Sequence, residues 1–194
     1  MGIIDEIATR LRDQGTFESG RKLTSRPHVF FGAAANPFVP PYDWRPERLK
    51  LKVAAGAQFV QTQYCFDVPR LRQYMARLDD LGILDQVFVL VGIGPLPSAK
   101  TADWMRRHVP GVHIPDAVVK RMAGAADPAA EGRRLCIELI QEIRTLKGVH
   151  GVHVMAFRQE HTVAEIIERS GVLNGRKPWF PGRDPQTNTN RMAS

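Results

Sequence analysis

The sequence predicts an α/β fold: a parallel sheet of about four strands with flanking helices. Three observations predict it. Four runs, at residues 28–34, 57–60, 86–92 and 151–156, are short and mostly apolar, as parallel strands covered on both faces are. Each run is followed by a stretch whose apolar residues recur at helical spacing. The third run ends in Gly92-Ile-Gly-Pro-Leu-Pro97, a loop rather than a hairpin turn. Such alternation is the pattern of right-handed βα units. The units follow one another at barrel-like spacing. A closed (β/α)8 barrel takes ~250 residues, whereas this chain has 194 and shows four strands. The sheet is therefore open, or part of a barrel is missing.

The elements follow in order. Residues 1–12 place Ile3, Ile4, Ile7 and Leu11 on one face, which predicts a helix. Residues 13–27 are polar and interrupted by Gly15, Gly20 and Pro27, an extended connection. The first strand, 28–34, runs into the stiff loop Asn36-Pro-Phe-Val-Pro-Pro41. Asp43 is expected to cap a helix to Ala55 with Leu49 and Val53 inward, and Gly56 closes it. The second strand, 57–60, runs into a polar-aromatic end of Gln61, Thr62, Gln63 and Tyr64. Asp67 caps the next helix with Pro69 just inside it; Leu71, Met75 and Leu78 form its stripe, and Gly82 ends it. Ser98 caps a helix through Arg107, and Val112-His-Ile-Pro115 leads to a short helix holding Val118, Val119 and Met122. Asp127 and Pro128 open a long helix that turns Leu135, Leu139, Ile140, Ile143 and Leu146 inward. After the fourth strand, Thr162 starts a last helix with Val163, Ile166 and Ile167. The organisation is a lead helix and connection (1–27), one domain (28–173) and an irregular tail (174–194) holding Trp179 and Phe180.

Composition narrows the classes. The 43% apolar content is enough for a core. No apolar run approaches the ~20 residues that span a bilayer. Residues 1–12 lack the basic start and apolar middle of a secretory signal. Cys65 and Cys136 stand far apart in strong secondary-structure patterns and read as reduced thiols of a cytosolic protein. With 27 Lys+Arg against 20 Asp+Glu the net charge is +7, which suits anionic partners: nucleic acid, a phosphorylated cofactor or a polyglutamyl substrate. The basic residues are spread along the chain with no aromatic interleaving, so a solvated helix surface is the preferred reading and nucleic acid a third choice. Gly92-Ile-Gly94 is not a dinucleotide fingerprint, because Pro97 occupies the third glycine position. It opens the backbone for close ligand approach or simply makes a tight turn. His150 and His153 flank a strand start without a third ligand, so no metal is expected.

In parallel α/β proteins, ligands meet the chain at the carboxyl ends of strands. Gln61, Thr62, Gln63 and Tyr64 form such an end and are read as the wall of a binding site. The run Lys50-Leu-Lys-Val-Ala-Ala-Gly-Ala-Gln-Phe-Val-Gln-Thr-Gln-Tyr-Cys-Phe-Asp67 resembles a strand of the methylenetetrahydrofolate reductases. Three further stretches agree in order and spacing: Val91-Gly-Ile-Gly-Pro-Leu-Pro97, Val112-His-Ile-Pro-Asp116, and 127–139 leading into Gly151-Val-His-Val-Met-Ala156. The resemblance covers about residues 28–172, and it is to the second half of the family's (β/α)8 barrel. It implies a partial, half TIM-type barrel.

The family's activity is reduction of 5,10-methylenetetrahydrofolate to 5-methyltetrahydrofolate by a flavin enzyme that takes electrons from NADH or NADPH. The resemblance therefore implies FAD, NAD(P)H, a folate-type substrate, and a place in one-carbon metabolism towards methionine. The family's acid that protonates the substrate nitrogen, and the aspartate beside its flavin, belong to the half with no counterpart here; no catalytic residue is carried over. Gln63 matches a glutamine that contacts the pterin, a task that suits a group able to donate and accept at once. Its bland alternative is a strand-end amide bonded to a neighbouring loop. Tyr64 follows it as pocket lining or core, and Trp104, or its neighbour Met105, falls where the family sets an aromatic ring against the folate. Lys52 matches a flavin-contacting lysine whose charge suits a pyrophosphate. Asn36 stands in the place of a flavin-contacting tyrosine, Pro40 replaces a histidine, and Arg48 replaces an asparagine. Two readings stay open: a reductase with a variant flavin site, and a protein that has lost flavin. Half a barrel exposes two sheet edges and an apolar inner face, so a homo-oligomer or a complementary barrel half is expected. The alternative function is a non-catalytic folate-binding or assembly half-barrel.

Overall fold

The computed structural model of the chain describes residues 6–7, 10–28 and 30–176. Four strands, β1 (Gly32–Ala35), β2 (Phe59–Tyr64), β3 (Phe88–Ile93) and β4 (Val149–Val154), form one parallel sheet in the order β1-β2-β3-β4. The helices are α1 (Trp44–Ala54), α2 (Val68–Asp80), α3 (Ala99–His108), α4 (Asp116–Ala123), α5 (Pro128–Ile143) and α6 (Val163–Ser170). These are four consecutive βα units. Among the described residues, β1 and β4 each keep one unpaired edge.

Local chemistry sets the helix starts. Asp67 accepts from the Arg70 amide at 3.0 Å, Ser98 from Thr101 at 3.1 Å, and Asp127 from Ala130 at 3.0 Å. Proline follows two of these caps, where its missing N–H costs nothing. The helices pack on one face of the sheet. Val60, Val89, Val91 and Ile93 on that face have no exposed surface and join Leu71, Leu78, Ile140 and Ile143 in the core. Each such side chain contributes roughly 1.5–3 kcal/mol by leaving water.

The opposite face departs from the expectation of strands covered on both sides. Phe30 and Phe88 are 55% and 51% exposed. Phe30 stacks on Phe59 with centroids 5.2 Å apart, and Phe88 meets the edge of His150 at 5.0 Å. An apolar run reports that a strand is buried somewhere; it cannot report which face has a cover.

Boundaries shift for identifiable reasons. The first strand begins at Gly32, not at 28, because the Gln58 side chain takes the Phe31 N–H (3.1 Å) in place of a ladder carbonyl. Asp43 makes no side-chain cap: it is already helical (φ −68°, ψ −28°), and Pro46 lacks the N–H such a cap would bind. The polar end of the second strand is itself strand, because Gln61 and Thr62 pair with Ala34 and Ala35 while Tyr64 pairs with Gly92. β4 begins at Val149, drawn into register with Val89. Thr162 does not cap α6 through its side chain; its hydroxyl donates to the Gln159 carbonyl at 2.8 Å and closes a short 3-10 turn, Glu160–Thr162. Leu146 lies beyond α5 yet remains buried. Most of the expected 1–12 helix, and the tail from 177 on with Trp179 and Phe180, lie outside the described residues; Arg10–Gln14 is a π-helical turn.

β2 and β3 are not evenly matched. Gln61 pairs with Leu90 and Tyr64 with Gly92, so β2 carries one residue more than β3. Thr62 absorbs the mismatch: its buried hydroxyl accepts from the Gly92 amide at 2.9 Å and donates to the Gln63 carbonyl at 2.8 Å. Thr62→Val keeps the shape and removes both bonds. It is expected to destabilise the chain by about 1–3 kcal/mol, read as a lower urea midpoint at unchanged slope. An unchanged midpoint would mean the bulge holds without the hydroxyl.

Candidate functional site

A cavity of about 390 Å³ opens at the carboxyl ends of β1 and β2, within the range of small-molecule sites, about 300–1,000 Å³. Ala34, Ala35 and Asn36 form one side, Gln61, Thr62 and Gln63 the floor, and His153 and Met155 the side towards β4. The remaining wall is α1, which contributes Arg45, Arg48, Leu49 and Lys52. These four stand at i, i+3, i+4 and i+7, one stripe of a helix. Among the described residues, three cations and no carboxylate therefore line the cavity.

Each cation is held differently. Arg45 donates from Nε to the Val39 carbonyl (3.0 Å) and from Nη2 to the Pro40 carbonyl (2.9 Å), which ties the proline loop to α1. Arg48 lies over the Trp44 ring, 4.8 Å from its centroid. Lys52 donates to the Ala34 carbonyl at 2.5 Å. Burial, and secondarily the charge of Arg48, holds its ammonium below the ordinary lysine range. An anion between these groups would relieve that repulsion.

Of the six residues singled out in the sequence, Asn36, Arg48, Lys52 and Gln63 meet at this cavity. Both ends of the Asn36 side chain are engaged: Nδ2 donates to the Gly111 carbonyl (3.0 Å) and Oδ1 accepts from the Phe38 amide (3.1 Å). Gln63 donates from Nε2 to the Pro110 carbonyl (3.1 Å) and accepts at Oε1 from the Tyr64 amide (3.0 Å). Tyr64 stands beside the cavity; its hydroxyl donates to the Met155 carbonyl at 3.0 Å and ties β2 to the end of β4. Burial raises its phenol above the ordinary tyrosine value. Gly94 makes room for this tie, since a Cβ there would collide with Met155 and the Tyr64 ring. Trp104 stands apart from the cavity on α3, 54% exposed and stacked on His108 at 5.2 Å.

Arg45 and His153 belong to the wall and were not singled out as site residues. Arg45 was legible from its helical spacing to Arg48 and Lys52. His153 was legible only as one of a histidine pair. Register with Gly92 is what sets it beside the floor, and its Nδ1 is buried without a hydrogen-bond partner among the described residues.

The fold and cavity define a class: a βα-repeat protein with a cation-lined cavity of small-molecule size at the carboxyl ends of its parallel strands. The family model for methylenetetrahydrofolate reductase matches residues 29–171, and the chain belongs to that family. It is 31% identical over 135 residues to methylenetetrahydrofolate reductase 1 of Schizosaccharomyces pombe. That match takes in 66% of this chain but 21% of the yeast protein, so the chain spans about a fifth of that relative's length. Its fold is similar to that of an uncharacterized protein from Clostridium thermocellum, described as binding two copies of 5-methyl-5,6,7,8-tetrahydrofolic acid. The TM-score is 0.57 at 16% identity, over 86% of this chain and 67% of that one.

Lys52→Met is expected to weaken binding of inorganic pyrophosphate about tenfold, ~1.4 kcal/mol, in titration calorimetry. The wild-type affinity should fall as pH rises, starting below the usual lysine range, because the ammonium attracts the anion and the neutral amine does not. An affinity that stays flat through that range would show that Lys52 does not meet the anion.

Proposed function

We propose that the chain is the folate-binding half of a methylenetetrahydrofolate reductase-type flavin oxidoreductase, which reduces 5,10-methylenetetrahydrofolate to 5-methyltetrahydrofolate with NAD(P)H as donor. One observation carries this: the glutamine at the end of β2 and the basic stripe of α1 face a single cavity at the strand ends. Family membership supports it, and so does the folate bound by the Clostridium protein.

In this reading Gln63, with Gln61 beside it, orients the pterin by its donors and acceptors. The donor set of α1 fits a dinucleotide: Arg45, Arg48 and Lys52 would hold the diphosphate of FAD. When bound, the flavin supplies hydride transfer between nicotinamide and folate. Among the described residues, no carboxylate lines the cavity to donate a proton to the substrate nitrogen. The chain by itself is therefore expected to bind better than it catalyses.

A second reading rests on the open sheet face: a non-catalytic folate-binding or assembly half-barrel completed by a second copy or by a complementary half. Phe30, Phe59 and Phe88 form an aromatic surface there, bounded by the free edges of β1 and β4. No described helix is long and apolar enough to cross a membrane, so a bilayer-spanning helix does not account for that surface.

The visible spectrum of the purified chain, before and after FAD, tests the first reading. A bound-flavin spectrum with weak reductase activity is expected; no bound flavin even with excess FAD would sink the autonomous enzyme. Gln63→Ala should weaken 5-methyltetrahydrofolate at least tenfold, ~1.4 kcal/mol. The second reading predicts a sedimentation mass above that of one chain, reduced to one chain by Phe88→Asp; a wild-type monomer would remove it.

A further inference from the structure

We infer that Asn36 is a positioning residue: with Gly111 it pins the loop between α3 and α4, and that loop fixes which hydrogen-bonding groups Gln63 offers to a ligand. The inference rests on the folate reading for the ligand, but not for the arrangement itself.

Two consecutive carbonyls of the loop are held by two carboxamides from neighbouring strand ends. The Gly111 carbonyl accepts from Asn36 Nδ2 at 3.0 Å, and the Pro110 carbonyl accepts from Gln63 Nε2 at 3.1 Å. Gly111 has φ +78°, the left-handed region, and a Cβ there would collide with Asn36 Nδ2. Glycine is thus needed both for the turn and for the close approach. Past the turn the loop is anchored: Val112 and Ile114 are buried, and Cys65 bridges to His113. Asn36 is itself fixed, since its Oδ1 accepts from the Phe38 amide.

The consequence falls on Gln63. A carboxamide carries two N–H groups and two acceptor sites. One N–H goes to Pro110, and one acceptor site takes the Tyr64 amide at 3.0 Å. Turning the group over would set its NH₂ against the Tyr64 N–H and its oxygen against the Pro110 carbonyl. Both contacts would become repulsive, so the orientation is locked while the loop stays in place. Gln63 lines the cavity, so the N–H and the lone pair left over are those a ligand can reach. A fixed donor beside a fixed acceptor matches a flat heterocycle with an adjacent amide-type donor and acceptor, such as a pterin edge. Asn36 sets this pattern through the loop it holds.

Asn36→Asp tests it. The variant keeps an oxygen for the Phe38 amide and replaces the donor to Gly111 with a second oxygen, which repels that carbonyl. In the wild type, Asn36→Asp should weaken 5-methyltetrahydrofolate about tenfold by calorimetry; in the Gln63→Ala background the same change should have no further effect. Equal losses in both backgrounds would overturn the inference, because Asn36 would then act without Gln63. The side-chain amide resonances of Gln63 in ¹⁵N-labelled full chain give a readout that needs no ligand. Asn36→Asp should move them and speed their exchange with water; unchanged resonances would also overturn it. If the wild type binds no 5-methyltetrahydrofolate, the folate reading falls and the resonances decide the positioning role. Should Asn36→Asp fail to fold, Gly111→Ala, which drives the Asn36 amide away from the loop, carries the same two readouts.

Discussion

The carboxyl end of β2 is the constraint on which the rest depends. An inner strand of a parallel sheet must satisfy two neighbours along its whole length, and an unpaired buried amide costs about 1–3 kcal/mol. β2 is one residue out of step with β3, so backbone carbonyls alone do not suffice. The Thr62 hydroxyl fills the gap for Gly92. Beyond it the side chains diverge, Gln63 to the loop after α3 and Tyr64 to Met155, just past β4. The residues that repair the sheet also form the floor of the cavity. Hydrophobic side chains there would leave both the ladder and the ligand without partners.

The cavity is one-sided. Its charge comes from a single stripe of α1, and its neutral donors and acceptors come from strand ends. Such a wall can hold an anionic ligand and orient a polar ring. Among the described residues it includes no carboxylate. The sheet shows the same incompleteness: the helix face is closed to solvent, while the aromatic face beside β1, β2 and β3 is wet. Burying that face would take its aromatic surface out of water.

Much of this was legible in the residues. Periodicity located all four strands and the helices between them, and Asp67, Ser98 and Asp127 marked helix starts correctly. The polarity of Gln61 to Tyr64 identified the strand end that forms the cavity floor. Less legible were choices between equivalent local options. Asp43 carries the same cap signal as Asp67, yet its backbone is helical and its carboxylate makes no cap. Trp104 and Lys52 both followed from family likeness, but only Lys52 reaches the cavity; a helix residue's outlook depends on how the helix docks, which spacing does not encode.

By itself, then, the sequence determined the order of strands and helices, the parallel α/β class, the caps at Asp67, Ser98 and Asp127, and the chemical character of the β2 end. These depend on interactions within a few residues, where side-chain chemistry and backbone geometry are nearly sufficient. The tertiary structure alone decided three things: the bulge between β2 and β3, the meeting of His153 with a floor some ninety residues earlier in the chain, and the capture of Pro110 and Gly111 by two distant amides. Each depends on register and docking between segments far apart in the chain. A shift of one residue there reverses which face a side chain occupies while leaving the local pattern of the sequence unchanged.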